Sequence, residues 1–225
     1  MVKVDGVHWI RLFYLYPTYF TDELLDLIVS EPKICKYVDI PLQHISDSVL
    51  KRMNRRDSSE SIRQLLRKIR SVRVPMTVRT TLMVGFPGET EQDFEELLQF
   101  VQEVKFDDMG AFMFSPQDGT PAARMDGQIP EEVKEDRYHR LMAAQAAISE
   151  ENDRNAVGME TEALVEELIE AGNGQIQAKG RMVFQAPEVD GNVYIDNPGD
   201  VKPGDFIHVR ITDGYAYDLI AERIK

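Results

Sequence analysis

Four short stretches of the chain gather the residue types that chemistry could use: Tyr16-Pro17, Pro41-Leu42-Gln43-His44, Gly85-Phe86-Pro87-Gly88-Glu89 and Ser115-Pro116. Each follows an apolar run that reads as a strand, and in parallel α/β sheets ligands sit at the carboxyl ends of strands. Gln43 offers an amide, His44 an imidazole, and the glycine-proline loop a backbone that can approach a ligand closely. The alternatives are modest. A lone histidine is more often a hydrogen-bonded structural residue than a ligand, and Gly-Pro pairs are ordinary turn chemistry. The loop at 85–90 lacks the Lys-Ser/Thr of a phosphate-binding P-loop. With four histidines, one cysteine and no HExxH spacing, the chain has no metal site of its own. No nucleophile-elbow sequence supports a Ser-His-Asp triad.

The elements that must position these loops alternate. Residues 8–16 (HWIRLFYLY) read as a buried strand ended by Pro17. Thr21 caps a short helix with Leu24, Leu25 and Ile28 on one face. A strand at 37–40 follows, then a helix opened by an Asp57/Glu60 capping box with an Ile62, Leu65, Leu66, Ile69, Val72 stripe. Met76 to Val84 reads as a third strand. Thr90 with Asp93 opens the next helix, which carries Phe94, Leu97, Leu98, Val101 and Val104 inward. Met109 to Phe114 is the fourth strand, and Met76, Met83, Met113 and Phe112 read as ordinary core. The order β-α-β-α-β-α-β predicts a parallel sheet with helical crossovers. Pro130-Glu131-Glu132 then starts a long helix with Tyr138, Leu141, Met142 and Ile148 on one side.

Near Gly158 the texture changes. Gly172-Asn173-Gly174, Asp190-Gly191-Asn192, Pro198-Gly199 and Pro203-Gly204 divide the rest into short segments, which predicts a small antiparallel β-barrel. Glu160 to Glu170 favours helix by propensity, yet the barrel needs a strand there, and strand is the expectation. Domains of 1–157 and 158–225 follow.

The 225 residues carry 39 acidic and 26 basic side chains, a net charge of −13, which disfavours a non-specific nucleic-acid binder. Residues 158–225 hold 13 acids against 6 bases, so −7 of that charge lies there. The basic stretch Arg52 to Arg73 reads as the solvated face of a helix. No apolar run approaches the roughly 20 residues of a membrane-spanning helix, and MVKVDGVHW has no signal-peptide core, so the cytoplasm is the expected location.

WIRLFYLYP, YVDIPLQH, RTTLMVGFPGETEQDF and FMFSPQDGTPAA, in that order and spacing, resemble the radical SAM methylthiotransferases. The likeness continues through PEEVKEDR, and the last ~65 residues resemble that family's TRAM domain. It implies an α/β fold: an open, partial radical SAM barrel of about four parallel strands, followed by an OB-like antiparallel barrel. YLYPTYFTDEL, DIPLQH and QAPEVDGNVYIDNPGDVKPGDFIHVRI look most like the branch that methylthiolates the β-carbon of an aspartate in ribosomal protein S-twelve. The tRNA-adenosine branch and a non-catalytic binding module are the alternatives.

The resemblance implies S-adenosylmethionine and two 4Fe-4S clusters as cofactors of the whole enzyme. It also implies that the cluster cysteines lie in a part not present here, so the chain alone is expected to be inactive, a carboxyl-terminal portion of the enzyme. By position, Gln43, Arg79, Val84, Gly85, Phe86, Phe114 and Ser115 are the expected cofactor-binding residues. Arg79 has an equal alternative as one partner of a salt bridge at the barrel's bottom. Val84, Gly85 and Phe86 would wall a purine, with Gly85 letting it reach the backbone, while Phe114 and Ser115 would bound the adenine. Glu188, Asp190, Asp196, Asp200 and Asp205 are expected on exposed loops, docking a basic partner: ribosomal protein S-twelve or the small ribosomal subunit. Direct nucleic-acid binding and membrane association are not expected, and self-association through the unpaired first strand is.

Overall fold

A computed structural model describes residues 1–172, 174–215 and 217–224; Asn173, in the first expected barrel turn, lies outside them. The chain divides into two compact units, Met1–Val4 with Leu12–Gln145, and Asp5–Arg11 with Ala146 onward. The change-over falls inside the long helix, about a dozen residues before the end of it.

The elements run β1 (Ile10–Leu12), a 3-10 turn at Pro17–Tyr19, α1 (Asp22–Ser30), β2 (Ile34–Asp39), α2 (Asp47–Arg52), α3 (Ser59–Arg70), β3 (Thr77–Val84), α4 (Glu91–Val104), β4 (Asp108–Met113) and α5 (Glu131–Ala156). The sheet order is β1-β2-β3-β4, with β2, β3 and β4 parallel. Along β3, Val78, Thr80, Leu82 and Val84 are buried and alternate with the more open Thr77, Arg79, Thr81 and Met83, so the strand has two distinct faces. Capping residues start α1 and α4. The Thr21 hydroxyl accepts from the Leu24 N–H, and Thr90 with Asp93 forms a full capping box.

Four expectations are corrected here. The first strand is three residues long, because Tyr14 sits at φ +56° and its N–H donates to Asp39 Oδ2 (3.1 Å). The backbone therefore leaves the ladder there, and Phe13 and Tyr14 are exposed. Helix α3 is capped by Ser58 with Ser61, one residue later than Asp57/Glu60; the Asp57 carboxylate instead accepts from the Thr18 hydroxyl (2.8 Å). Helix α2 was not anticipated; six residues are too few to show a period. Phe112 is 61% exposed and is not core, since the register Met83↔Phe112 puts it on the open face of the sheet.

The second unit holds β5 (Glu160–Glu170), β6 (Ile176–Met182), β7 (Val193–Asp196), β8 (Phe206–Gly214) and β9 (Leu219–Arg223), closed as β5-β6-β7-β9-β8. Glu160 to Glu170 is a strand despite its helical composition. It pairs with β6 along one edge and β8 along the other, and Ala163 and Val165 turn into the core. Tertiary pairing overrides propensity there. The interior is filled by Ala163, Val165, Ala178, Met182, Val193, Ile195, Val209, Ile211, Leu219 and Ala221. All pairings are antiparallel except β7 with β9, which run parallel. Residues 5–11 belong to this unit: the Trp9 ring meets Phe206 edge-on at 4.9 Å and His8 Nε2 lies 2.6 Å from Glu162. Among the described residues, no helix is long and apolar enough to cross a membrane.

Candidate functional site

Three of the four stretches singled out above meet at the carboxyl end of β2, β3 and β4. Gln43 continues the sheet beside β3: its N–H donates to Thr81 O (2.9 Å) and its carbonyl accepts from Met83 N–H (2.7 Å). It does so at φ +68°, a left-handed conformation that costs a non-glycine residue about 1–2 kcal/mol. Strain of this kind concentrates at functional sites. The Gln43 side chain is half-buried at the sheet end.

The next residue, His44, is fully buried. Its Nδ1 accepts from Ser46 N–H (3.0 Å), so a neutral imidazole carries its proton on Nε2, which lies 3.6 Å from Glu89 Oε2. Glu89, also buried, accepts from the Gly85 N–H on Oε2 (2.9 Å) and from Arg137 Nη1 on Oε1 (2.8 Å). Arg137, in α5, donates further to Glu89 O (3.3 Å) and to Glu91 Oε2 (3.0 Å). Buried charges persist when paired and hydrogen-bonded, and Glu89 and Arg137 pair with each other in that way.

Asp93 makes a second tie. Burial alone would raise its carboxyl, but hydrogen bonds from the hydroxyls of Ser46 (2.5 Å), Thr90 (2.6 Å) and Ser48 (2.7 Å), with the Thr90 N–H, hold it well below the carboxylate range.

The loop itself is held on two sides. Gly85, at φ +74°, packs against the stem of Lys134 from α5, and Arg52 donates to Pro87 O (2.6 Å) from α2. The Cβ side of Gly85 is thus filled by protein instead of standing open to a purine. Phe86 and Phe114 meet edge-to-face at 5.1 Å in a buried cluster with Val49, and Val84 is buried on the other face of β3. Ser115 is exposed.

Arg79 lies near the start of β3, about 20 Å along the strand from Gly85 at ~3.3 Å per residue. Its Nη1 donates to Asp39 Oδ1 (2.9 Å), the ion-pair alternative, and that pair is nearly buried. Of the acidic barrel residues, Glu188 and Asp200 are exposed. The other three are engaged within the barrel. Asp190 accepts from Ala186 N–H (2.8 Å), Asp196 from Gln177 Nε2 (2.7 Å) and Asp205 from Lys202 N–H (3.0 Å). The expectation that all five stand on exposed loops is corrected: Asp196 instead ends β7, and Asp190, Asp196 and Asp205 are half-buried.

Sequence reasoning singled out the stretch that ends in Glu89 but gave that residue no role, read Asp93 only as a cap, and missed Lys134 and Arg137. Glu89 carried a signal, as an acid closing a Gly-Phe-Pro-Gly loop between a strand and a helix. Arg137 carried none, because a helix as charged as α5 gives no sign of which arginine is buried.

Among the described residues no group of three or more His, Cys, Asp or Glu is placed to hold a metal ion, and Cys35 is buried. An iron–sulfur cluster needs several thiolates, so the residues present do not fit one. The sheet end offers an amide (Gln43), a hydroxyl (Ser115) and main-chain groups, a set that suits a polar small molecule.

Residues 4–101 match the radical SAM superfamily and residues 157–224 the TRAM domain. The chain is 48% identical over 225 residues to a protein of Geobacter sulfurreducens named ribosomal protein uS12 methylthiotransferase RimO, covering 100% of this chain and 50% of that one. A protein of the same name from Desulfitobacterium hafniense is 40% identical over 225 residues, with the same coverage. The chain thus spans about half the length of the curated relatives it matches. Among solved structures, Escherichia coli coproporphyrinogen III oxidase (HemN), a radical SAM enzyme, is 20% identical over 67% of this chain and 34% of its own, with a TM-score of 0.50. That likeness concerns the fold alone.

Proposed function

We propose that the chain belongs to the radical SAM methylthiotransferase family and is the part of such an enzyme that carries the later sheet strands and the TRAM barrel. The whole enzyme, in this reading, replaces one hydrogen on the β-carbon of an aspartate of ribosomal protein S-twelve with a methylthio group, in the cytoplasm. The observation that carries it is identity of 48% along the entire chain to proteins bearing that activity in their names.

S-adenosylmethionine and iron–sulfur clusters, the cofactors of the family, supply the one-electron chemistry that an unactivated C–H bond demands. This chain's residues bind and orient. Gln43 and Ser115 would hold polar groups of S-adenosylmethionine, on a loop fixed by Val84, Gly85, Phe86 and Phe114. Arg79, paired to Asp39, would stiffen the junction of β3 with the end of β2. Glu188 and Asp200, the exposed acids of the barrel, would meet the basic ribosomal partner by charge, with the bonded Asp190, Asp196 and Asp205 shaping the loops beside them. The cluster ligands are not among these residues.

The test is mass spectrometry of ribosomal protein S-twelve from cells with the gene deleted. The expected result is loss of one methylthio group from its aspartate-bearing peptide. Unchanged S-twelve, or loss of the group from tRNA adenosine instead, would refute the proposal.

A further inference from the structure

Three polar side chains at the sheet end are almost wholly enclosed: His44 at 0%, Glu89 at 2% and Arg137 at 4% exposure. No ligand can reach them, yet each fixes something different. His44 holds the Ser46 N–H of the loop after β2. Glu89 holds the Gly85 N–H of the loop after β3. Arg137 holds Glu89 through both its carboxylate and its carbonyl, from a helix outside the sheet. Among the described residues, the two loops meet in this cluster where His44 Nε2 faces Glu89 Oε2 at 3.6 Å, beyond hydrogen-bond length but well within electrostatic reach. Nε2 has no hydrogen-bond partner among the described residues, so turning away from Glu89 would leave it buried with nothing. Apolar side chains would fill this space as stably as charges do, but they would impose no direction on two backbone amides.

We propose that Arg137 is a positioning residue: through Glu89 and His44 it sets the two loops relative to each other, and with them the strained Gln43 that a ligand at the sheet end would meet. The ligand clause rests on the proposed cofactor reading; the coupling of the loops does not. Asp93 ties Ser46 to the start of α4 independently, so weakening the cluster leaves the fold a second fastening.

The test uses the full 225-residue chain as wild type, Arg137→Met and Arg137→Lys. Amide hydrogen exchange and imidazole nitrogen shifts are read by nuclear magnetic resonance, with thermal melts confirming a cooperative fold. In Arg137→Met, exchange at Gly85 and at Ser46 should rise together by about tenfold or more while Leu82 in mid-sheet is unchanged, and the His44 nitrogen signals should move. Arg137→Lys should restore part of both effects. Acceleration at Gly85 with Ser46 and His44 unmoved would overturn the coupling, because a local contact would explain it. If Arg137→Met does not fold, the same paired change, smaller, is required of Arg137→Lys, and its absence overturns the proposal. Calorimetric titration with S-adenosylmethionine separates the two readings. A wild-type chain that does not bind it refutes the ligand clause and leaves exchange to judge the coupling. Binding by wild type with affinity unchanged in Arg137→Lys, despite altered exchange, overturns the placement of Gln43 for that ligand.

Discussion

The Lys134 stem occupies the space into which a side chain on Gly85 would grow: a Cβ built there stands 2.3 Å from Lys134 Cγ. The contact joins the loop after β3 to α5, and it makes glycine obligatory twice over, by space and by φ +74°.

Gly85→Ala should therefore destabilise the first unit by about 2–4 kcal/mol, the sum of backbone strain and displaced packing. Adding Lys134→Ala should return the packing part and leave about 1–2 kcal/mol from the backbone. Urea denaturation of the two singles and the double checks this. Strict additivity would mean the stem and the glycine do not compete for one space.

Asp93→Ala should cost about 2 kcal/mol, since it removes the α4 capping box and its tie to Ser46. Its folded-state carboxyl lies below the unfolded value near 4, so the contribution is complete above about pH 5 and lost as pH falls. The destabilisation by Asp93→Ala should accordingly shrink on acidification, measured by denaturant midpoints between pH 7 and 3.

Asp153 behaves with the opposite sign. Burial, with the Asp218 carboxylate beside it, pushes its carboxyl up to about 6, and its Oδ2 has no hydrogen-bond partner among the described residues. A folded value above the unfolded one means the folded state holds the proton more tightly. Stability from this group is full below about pH 4 and lost as pH rises through 6. Asp153→Asn should thus stabilise the barrel unit at pH 7 by about 1 kcal/mol after allowance for solvent screening, and hardly at pH 4. Equal effects at both values would exclude a buried charge as the cause.

Trp9, the one tryptophan of the chain, lies among barrel residues, with Phe206 edge-on and the Arg181 guanidinium 5.8 Å from its ring. Its fluorescence should follow barrel unfolding, and Trp9→Ala should cost about 2–3 kcal/mol of barrel stability. A fluorescence transition that tracked the loss of helical signal alone would contradict this.

Anaerobic reconstitution of the 225-residue chain with iron and sulfide should give no cluster absorbance, because one buried cysteine cannot supply the usual ligation. A stable chromophore would require ligands that the described residues do not bring together.

Elements with long periods or strong punctuation were legible in the sequence. Thr90 and Asp93 announced α4, and turns at short spacing announced a barrel strongly enough to overrule the helical propensity of Glu160 to Glu170. Six-residue α2 lacked a period, and the first strand was cut short by a carboxylate 25 residues away taking the Tyr14 N–H. The site was legible as loops and opaque as contacts. Gln43 and the Gly85–Glu89 loop stood out by position, whereas the burial of Arg137, the cover of Lys134 over Gly85 and the exposure of Phe112 depend on which neighbour the fold brings near. Five acids look alike in sequence; three are engaged in hydrogen bonds within the barrel, and only the folded backbone distinguishes them.

The parallel pairing of β7 with β9 bears on how the protein is born. A ring of hairpins could grow strand by strand as the chain emerges, but here the stave between β7 and β8 is the last one made. Until Leu219–Arg223 clears the exit tunnel, β7 and β8 each wait with an unsatisfied edge. Residues 5–11, made well before the barrel strands, belong to the same unit and must wait as well. A ribosome stalled before the codon for Leu219 would therefore hold a barrel unable to close, and a premature stop there would release a chain marked for proteolysis.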